Sequence, residues 1–396
     1  MKRTALTALG CFCCVLALHA AAPKQKMAKF IQKEMDFAIS QSVRMYESVK
    51  DQDAALVNTA RDGRLVTCPS RDWVAGFFPG TLWYLYENSG DEALRAAAER
   101  MTERMAPEQY NKTNHDVGFM IYCSYGNGWR LTGRDDYRQV IVNAGNSLSM
   151  RFNPAVGCTR SWDPQPQKNR DFIVIVDNMM NLELLTVTSA LTGDAKFMDM
   201  ARTHANTTIR NHYRPDYSSW HVVNYDGQTG EIVRKETEQG YSDDSAWARG
   251  QAWGLYGYTM MARKSGEPAY LSQAENIAKM LLQRLPKDGI PYWDFDAPDI
   301  PDALRDASAG AIMASAFIDL ARQTADSRLA KQCRRMAEKQ LRTLASPEYL
   351  APVGENCHIL LRHSVGSLPG NSEVDVPLTY ADYYFLEALL KWQEVL

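Results

Sequence analysis

The chain has 396 residues, a formal net charge of −3 and 45% hydrophobic residues. This length allows one large helical or barrel domain or two ordinary domains, and the apolar fraction is sufficient for a buried core. The mild acidity argues against a nucleic-acid partner, which would require a basic surface. An anionic substrate would therefore need a local, well-placed cation.

The first 22 residues have the pattern of a secretory signal peptide. Lys2 and Arg3 precede a short apolar segment, and small residues follow up to Ala22. The apolar segment is too short to span a bilayer, so no membrane insertion is expected. We predict cleavage near Ala22 and a periplasmic or secreted product, with lipoprotein anchoring through Cys11 as the less favoured alternative.

Five cysteines remain after this segment, and they are scattered along the chain. Their number is odd, and neither a CxxC pair nor a Cys/His spacing typical of zinc sites is present. We therefore expect small buried side chains, with neither a dense disulfide framework nor a metal site. These residues are Cys68, Cys123, Cys158, Cys333 and Cys357.

A short turn pattern of a small residue, a glycine and an acidic residue recurs along the chain. It occurs at residues 89–91, 132–135, 192–194 and 265–267, and without the glycine at 324–326. Glycine favours the left-handed position that ends a helix, and an acidic residue favours the start of the next one. The upstream segment is apolar on nearly all faces and the downstream one is amphipathic. Each unit is therefore predicted to be a helical hairpin.

Five such hairpins, with an opening helix near residues 26–47 and a closing helix near 379–395, give six inner and six outer helices. This arrangement predicts an all-α fold, the (α/α)6 barrel, in which the hairpins form a closed double ring. An open solenoid is the alternative. No Pro- or Gly-rich linker divides the chain, so residues 23–396 are predicted to form a single domain.

An unusual residue precedes each turn by about 16–19 positions. Because a helix of about 17 residues is about 25 Å long, these residues are expected at the N-terminal ends of the inner helices. In a closed ring those ends would surround one opening, which we call the mouth. The residues are Trp73, Asp116, Asp177, Arg249 and Asp306.

Two of these residues, Asp116 and Asp177, are candidates for acid–base chemistry. Asp177 follows the apolar run at 172–176, and burial there would raise its pKa, as a proton donor working near neutral pH requires. A nearby anionic Asp116 would raise it further. For both residues the alternative is an ordinary helix N-cap.

The segment 247–253 places Trp247 and Trp253 on either side of Arg249 at a predicted helix start. Tryptophan faces stack on sugar rings, and arginine can hold a carboxylate through two hydrogen bonds. An aromatic stripe is more often part of the core, but this combination favours a binding role. His221 lies in a loop-like polar region and, on local evidence, is more often structural. Asp306 is predicted to be a helix cap that shapes the mouth.

At these positions the sequence resembles the unsaturated glucuronyl hydrolases of glycoside hydrolase family 88. The resemblance covers nearly the whole mature chain, and the family fold, an (α/α)6 barrel, agrees with the helix count. The motifs that carry it lie at residues 71–80, 115–119, 177–181, 247–253, 288–296 and 381–385.

The resemblance implies a role for each candidate residue. Asp177 is similar to the proton donor and general base, and Asp116 to a second essential carboxylate. Ser364 and Ser367 lie in the loop 362–373, which would contact the next sugar and leaves the sulfation and linkage preferences open. The expected sugar-binding wall consists of His221, Gln239, Trp247, Arg249, Trp253 and Trp162, together with Trp73 at the mouth.

The implied reaction removes the 4,5-unsaturated uronic acid that polysaccharide lyases leave at the non-reducing end of oligosaccharides, glycosaminoglycan fragments being favoured. It hydrates an enol ether and requires no metal or organic cofactor. One alternative is an unsaturated rhamnogalacturonyl hydrolase acting on pectin fragments. A lyase on a helical toroid would instead use a Tyr or Lys base, and a non-catalytic helical glycan-binding protein would need the aromatic residues but not the carboxylates.

Overall fold

The computed structural model describes residues 8–52 and 55–395, with side chains from Lys24 onward. The predicted signal peptide thus lies outside the described side chains, and its first seven residues lie outside the described chain. The opening helix, predicted near residues 26–47, runs from Ala8 to Val49.

Twelve α-helices form most of the described chain. They are α1 (Ala8–Val49), α2 (Phe77–Ser89), α3 (Glu92–Glu103), α4 (Asn127–Thr132), α5 (Asp135–Ser149), α6 (Asn178–Thr192), α7 (Ala195–His212), α8 (Ala248–Ser265), α9 (Pro268–Arg284), α10 (Ala307–Gln323), α11 (Ser327–Leu344) and α12 (Thr379–Gln393). A π-helix at Gly118–Gly126 leads directly into α4, and short 3-10 helices lie at Ala106–Tyr110, Pro166–Lys168 and Asn356–His358.

The helices form two concentric rings. The inner ring consists of α2, the π-helix with α4, α6, α8, α10 and α12, and each of these contacts the next. The ring is closed because α12 also contacts α2. The prediction of an (α/α)6 barrel is therefore confirmed, and the open solenoid is excluded.

The difference between the rings follows from the sequence. In the inner helix α10 every residue from Ala307 to Ala321 is buried, as its nearly continuous apolar sequence requires. Its outer partner α11 buries one face, which includes Leu329, Cys333 and Ala337. These three residues are spaced four apart, so they share the side of the helix that packs on the inner ring.

The predicted turns end the inner helices as expected. Gly90 and Gly193 have φ values of 67° and 73°, and each closes its helix through its backbone N–H. Asp91 and Asp194 then cap the following outer helices by accepting hydrogen bonds from backbone N–H groups. Asp326 caps α11 in the same way, although this turn lacks a glycine.

Seven short strands lie in the loops that precede the inner helices. They are β1 (Leu56–Arg61), β2 (Arg64–Cys68), β3 (Phe152–Asn153), β4 (Cys158–Thr159), β5 (Phe172–Ile175), β6 (Val222–Tyr225) and β7 (Ile232–Glu236). All pairings are antiparallel, and β5, β6 and β7 form one sheet in that order. The prediction did not identify this sheet, because a short run of buried apolar residues has no period that distinguishes a strand from a helix.

The five cysteines are free, and four of them are buried, as predicted for small core residues. Aromatic side chains fill the centre of the inner ring: Trp253 lies 5.2 Å from Phe119 and 5.5 Å from Tyr384 between ring centroids. Within the described chain, no helix is both long enough and apolar enough to cross a bilayer.

Candidate active site

The five residues that were predicted to surround the mouth lie at one end of the inner ring. Trp73 precedes α2 in a turn, Asp116 lies two residues before the π-helix, and Asp177 directly precedes α6. Arg249 is the second residue of α8, and Asp306 directly precedes α10. Because the inner helices are parallel to one another, these residues surround a common mouth.

Asp116 and Asp177 are brought together across the contact between the π-helix and α6. The Asn181 side-chain nitrogen lies 3.3 Å from Oδ1 of Asp116, and Asn181 follows Asp177 by one turn of α6, a rise of about 6 Å. The negative charge of Asp177 also contributes to raising the pKa of Asp116. The two carboxyls are therefore close neighbours.

Asp116 is held by its neighbours rather than by a helix end. The N-cap residue of the following helix is Val117 and not Asp116, so the capping alternative is wrong for this residue. The His115 Nε2 atom lies 3.3 Å from its Oδ2, opposite the Asn181 contact at Oδ1. Burial and the charge of Asp177 raise the pKa of Asp116, against the opposing effect of the Asn181 hydrogen bond.

The orientation of Asn181 is fixed by the backbone. Its Oδ1 accepts a hydrogen bond of 2.9 Å from the N–H of Phe119, so its NH2 group must face Asp116 and His115. A Cβ atom on Gly118 would lie 2.4 Å from Asn181 Oδ1. Glycine is thus required at position 118 for the two helices to approach closely enough for this contact.

Asp177 is as buried as Asp116, each being 9% exposed, but one of its two oxygens has no hydrogen-bond donor in the described part of the chain. Its Oδ2 is buried and has no hydrogen-bond partner among the described residues, and its side chain does not cap α6. Burial raises the pKa of Asp177 to about 7, while the positive charge of Arg249 and a hydrogen bond from Trp253 oppose this rise. The capping alternative is therefore wrong for Asp177 too.

His221 reaches Asp177 through the unpredicted sheet. The N–H of Val176 donates to the carbonyl of His221 over 3.0 Å, which extends the β5–β6 pairing to the start of α6. The Nδ1 of His221 accepts from the N–H groups of Glu238 and Gln239, so the ring proton is on Nε2. Nε2 lies 3.7 Å from Asp177 Oδ2, and burial lowers the pKa of His221 well below its ordinary value. His221 is thus a neutral donor at the site.

Aromatic rings surround these groups. The Trp247 ring lies 4.4 Å from that of His221 at an interplanar angle of 36°, and the half-buried Trp162 meets His221 edge-on at 6.2 Å. On the other side, Trp73 lies 5.6 Å from Phe119. The predicted sugar-binding tryptophans are therefore brought to the same end of the ring as the two carboxyls.

Arg249 was expected to hold a carboxylate as part of the sugar-binding wall, but in the structure its partners belong to the protein itself. It is buried beside Trp247, and its Nη1 lies 3.2 Å from Asp306 Oδ2. Nη1 also donates to the carbonyl of Val365, and Nη2 donates to that of Gly366 over 2.6 Å. The carboxylate that Arg249 holds in this structure is therefore the one on Asp306.

The remaining predicted residues lie on or beside the loop 362–373. Gln239 donates to the carbonyl of Gly366 over 3.2 Å. Ser364 is fully buried, and its hydroxyl has no hydrogen-bond partner among the described residues. Ser367 is half-buried, and its hydroxyl accepts from the N–H of Gly370. Of the two serines, only Ser367 is partly accessible from solvent.

Three residues near the site were missed by the predictions. Asn181 and Asp72 lie inside motifs that the sequence contains, at 177–181 and 71–80, but only tertiary contacts give them a role. Burial raises the pKa of Asp72, and its charge adds to the rise at Asp116. Glu373, whose pKa burial also raises, is close enough to Arg249 to be affected by its charge.

Two buried, protonatable carboxyls at an aromatic-lined mouth of an (α/α)6 barrel are the features of a glycoside hydrolase. Glycosyl Hydrolase Family 88 matches residues 49–384, and the chain belongs to this family of glycosidases.

Known proteins resemble the chain over most of its length. An unsaturated glucuronyl hydrolase from Formosa agariphila is 44% identical over 331 residues, 83% of this chain and 82% of the relative. An unsaturated chondroitin disaccharide hydrolase from Streptococcus pyogenes is 32% identical over 91% of both chains. The crystal structure of an unsaturated glucuronyl hydrolase specific for heparin has 45% identity and a TM-score of 0.89, with 93% of this chain and 98% of that one covered.

Proposed function

We propose that this enzyme removes 4,5-unsaturated uronic acid residues from the non-reducing ends of lyase-generated glycosaminoglycan oligosaccharides. The observation that carries the proposal is Asp177, a buried carboxyl with one unpartnered oxygen, placed between a neutral histidine and a second carboxyl. The names of the relatives, which refer to unsaturated glucuronyl, chondroitin and heparin substrates, support the substrate class.

We assign the proton donor by comparing the hydrogen bonds of the two aspartates. Asn181 donates to one oxygen of Asp116 and so supports its anionic form, whereas His115 Nε2, 3.3 Å from the other oxygen, makes no hydrogen bond within the described chain. Asp177 Oδ2 has no such donor and is free to carry a proton. Because each charge would raise the pKa of the other group, the pair titrates as a unit and retains one proton near neutral pH.

The reaction begins with proton transfer from Asp177 to C4 of the unsaturated sugar. The electron pair of the C4=C5 bond forms the new C4–H bond, and positive charge develops at C5, where the ring oxygen shares it. The anionic Asp116 stabilises this charge because it lies beside Asp177 in a poorly solvated site. Glycosidic attack at C1 is not involved, so the separation of the carboxyls does not predict an anomeric outcome.

Water then adds to C5 and completes the hydration. Asp177, now a carboxylate, removes a proton from this water and returns to its starting state. The C5–O5 bond of the resulting hemiketal breaks to give a C5 ketone and a hydroxyl on C1. Collapse of this C1 hemiacetal breaks the glycosidic bond and releases the next sugar.

The direct test follows the ultraviolet absorbance of the enol ether with unsaturated disaccharides from chondroitin, hyaluronan, heparin and pectin lyases. The proposal expects absorbance to be lost with at least one of the three glycosaminoglycan substrates. Activity confined to pectin fragments would identify an unsaturated rhamnogalacturonyl hydrolase instead. An increase in absorbance with intact polymers would identify a lyase, and binding without any change would identify a glycan-binding protein.

We also propose that the enzyme is exported and cleaved near Ala22, since residues 1–22 have the charge and length pattern of a signal peptide. An exported location suits an enzyme that acts on the products of extracellular lyases. Expression of the full chain, fractionation and N-terminal sequencing of the periplasmic and medium fractions test this proposal. An intact N-terminus in the cytoplasmic fraction would contradict it.

A further inference from the structure

Asp306 uses its two carboxylate oxygens for two different structural tasks. Its Oδ1 accepts hydrogen bonds from the N–H and the hydroxyl of Ser308 and from the N–H of Ala309, which caps α10. Its Oδ2 lies 3.2 Å from Nη1 of Arg249 on the neighbouring helix α8. Both side chains are fully buried, so this is an ion pair that solvent does not weaken.

Arg249 extends this contact to a third segment of the chain. Its guanidinium donates to the carbonyls of Val365 and Gly366, and it lies 4.5 Å from the centre of the Trp247 ring. A planar guanidinium with several donors in a fixed arrangement can bind a carboxylate and two carbonyls at the same time. Asp306 and Arg249 therefore connect two inner helices to the loop beside the mouth.

Val365 and Gly366 belong to the segment 363–376, which overlaps the loop 362–373. This segment has an unfavourable backbone conformation. His363, Asn371, Glu373 and Asp375 all have φ values between 49° and 61°, in the left-handed region that is rare for residues other than glycine. Backbone pairing between residues 364 and 376 and between 367 and 372 folds the loop on itself. Such a conformation persists only where surrounding contacts determine it, and Arg249 supplies two of these contacts.

We propose that Asp306 is a positioning residue for the reaction proposed above: it fixes Arg249 and, through Arg249, the loop 363–376 against the site. Because Asp306 neutralises Arg249, it also limits the influence of this buried positive charge on Asp177.

Several segments of the chain face Asp177. His221 faces Oδ2 from the start of β6, Trp253 donates a hydrogen bond from α8, and Asp116 lies across the contact with the π-helix. Arg249 is the positive group that lowers the pKa of Asp177. Removal of the charge on Asp306 leaves Glu373 and Asp177 as the carboxyls that face Arg249, so the anionic form of Asp177 becomes more stable.

The Asp306→Asn variant separates the capping of α10 from the pairing with Arg249, because asparagine caps a helix about as well as aspartate but carries no charge. We expect KM to rise several-fold and the alkaline limb of the kcat/KM profile to move to lower pH. Hydrogen exchange at the amides of Ser364, Gly366 and Val376 should become faster. The matched control is Asp326→Asn, which changes the same type of cap on the outer helix α11, where Asp326 forms no ion pair with an arginine among the described residues.

An Arg249→Lys variant provides a second test that keeps the charge but loses the planar set of donors. It should accelerate loop exchange while leaving the alkaline limb close to that of the wild type. An Asp306→Asn enzyme with wild-type exchange rates, KM and pH profile would overturn the proposal. If the wild type lacks activity on every unsaturated disaccharide, the proposed function fails, but the exchange measurements still test whether Asp306 and Arg249 hold the loop.

Discussion

Buried acids at the two ends of the inner ring have pKa values that are shifted in opposite directions. At the mouth, burial raises the pKa of Asp177 to about 7, and its Oδ2 has no hydrogen-bond partner among the described residues. At the other end, Asp319 of α10 is also buried, but the charges of Lys391 and Arg263 outweigh the effect of burial and hold its pKa below the ordinary value. Burial alone therefore does not decide the state of an acid in this barrel.

The far end is a connected polar network around a cavity of about 250 Å³. Glu387 accepts hydrogen bonds from Tyr84 and Tyr256 at one oxygen and from Ser315 and Lys391 at the other. A buried network in which each member has partners rigidifies a structure, whereas a buried acid with one unpartnered oxygen is available for proton transfer. The far end therefore contributes mainly to stability, and the mouth holds the acid that the proposed reaction requires.

The largest expected effect is on catalysis at the mouth. Asp177→Asn should lower kcat by about 10²–10⁴-fold, the usual contribution of a general acid, while the affinity for the unsaturated disaccharide is retained. Initial rates of absorbance loss and calorimetric binding measure the two quantities. Asp299→Asn, at an exposed aspartate, is the control. Undiminished turnover of Asp177→Asn would refute its assignment as proton donor.

A smaller loss is expected when the support of Asp116 is removed. Asn181→Leu removes the donor to Oδ1, so the shared proton moves from Asp177 towards Asp116 and the active form is depleted. Hydrogen bonds to charged groups are worth about 1.5–3 kcal/mol, and we expect kcat/KM to fall by at least about tenfold. Asn146→Leu, on the exposed part of α5, should leave the profile unchanged. A wild-type pH profile for Asn181→Leu would contradict this role.

At the far end the expected effect is on stability. Glu387→Gln replaces one acceptor oxygen by an amide donor and should lower the free energy of unfolding by about 1–3 kcal/mol, with activity per folded molecule unchanged. Denaturant unfolding measures the difference. Glu394→Gln is a matched control, because its exposed pair with Arg322 should contribute at most about 1 kcal/mol. Equal losses in both variants would remove the distinction between the buried network and a surface pair.

The smallest effect concerns the stability of Asp177→Asn as a function of pH. Because the pKa of Asp177 in the folded protein is raised to about 7 from its ordinary value of 3.8, the protonated form favours folding, and this contribution is lost as pH rises from about 4 to about 7. The stability of Asp177→Asn relative to the wild type should therefore increase over this interval, by about 1 kcal/mol or more, and then level off. A constant difference between pH 4 and pH 8 would contradict the burial effect.

Much of the fold could be predicted because its signals are local. The recurring turns, the apolar inner segments and the amphipathic outer ones each depend on a few neighbouring residues, and they gave the number of hairpins and the end of the ring to which Asp116 and Asp177 belong. The sheet of β5, β6 and β7 has no comparable signal, since its strands are short and the helices α6 and α7 separate β5 from β6. For that reason the local pattern placed His221 in a loop, and only the family resemblance placed it at the site.

Sequence alone thus determined the helical hairpins and the set of residues at the ends of their inner helices, because helix periodicity and helix ends are properties of adjacent residues. The contact of α12 with α2, which closes the ring, was decided by the tertiary structure. The tertiary structure alone decided which of those residues face one another: Asn181 with Asp116, His221 with Asp177, and Asp306 with Arg249. The ionisation of a buried group depends on its desolvation and on charges a few ångströms away. Those distances are set by the packing of helices far apart in the chain.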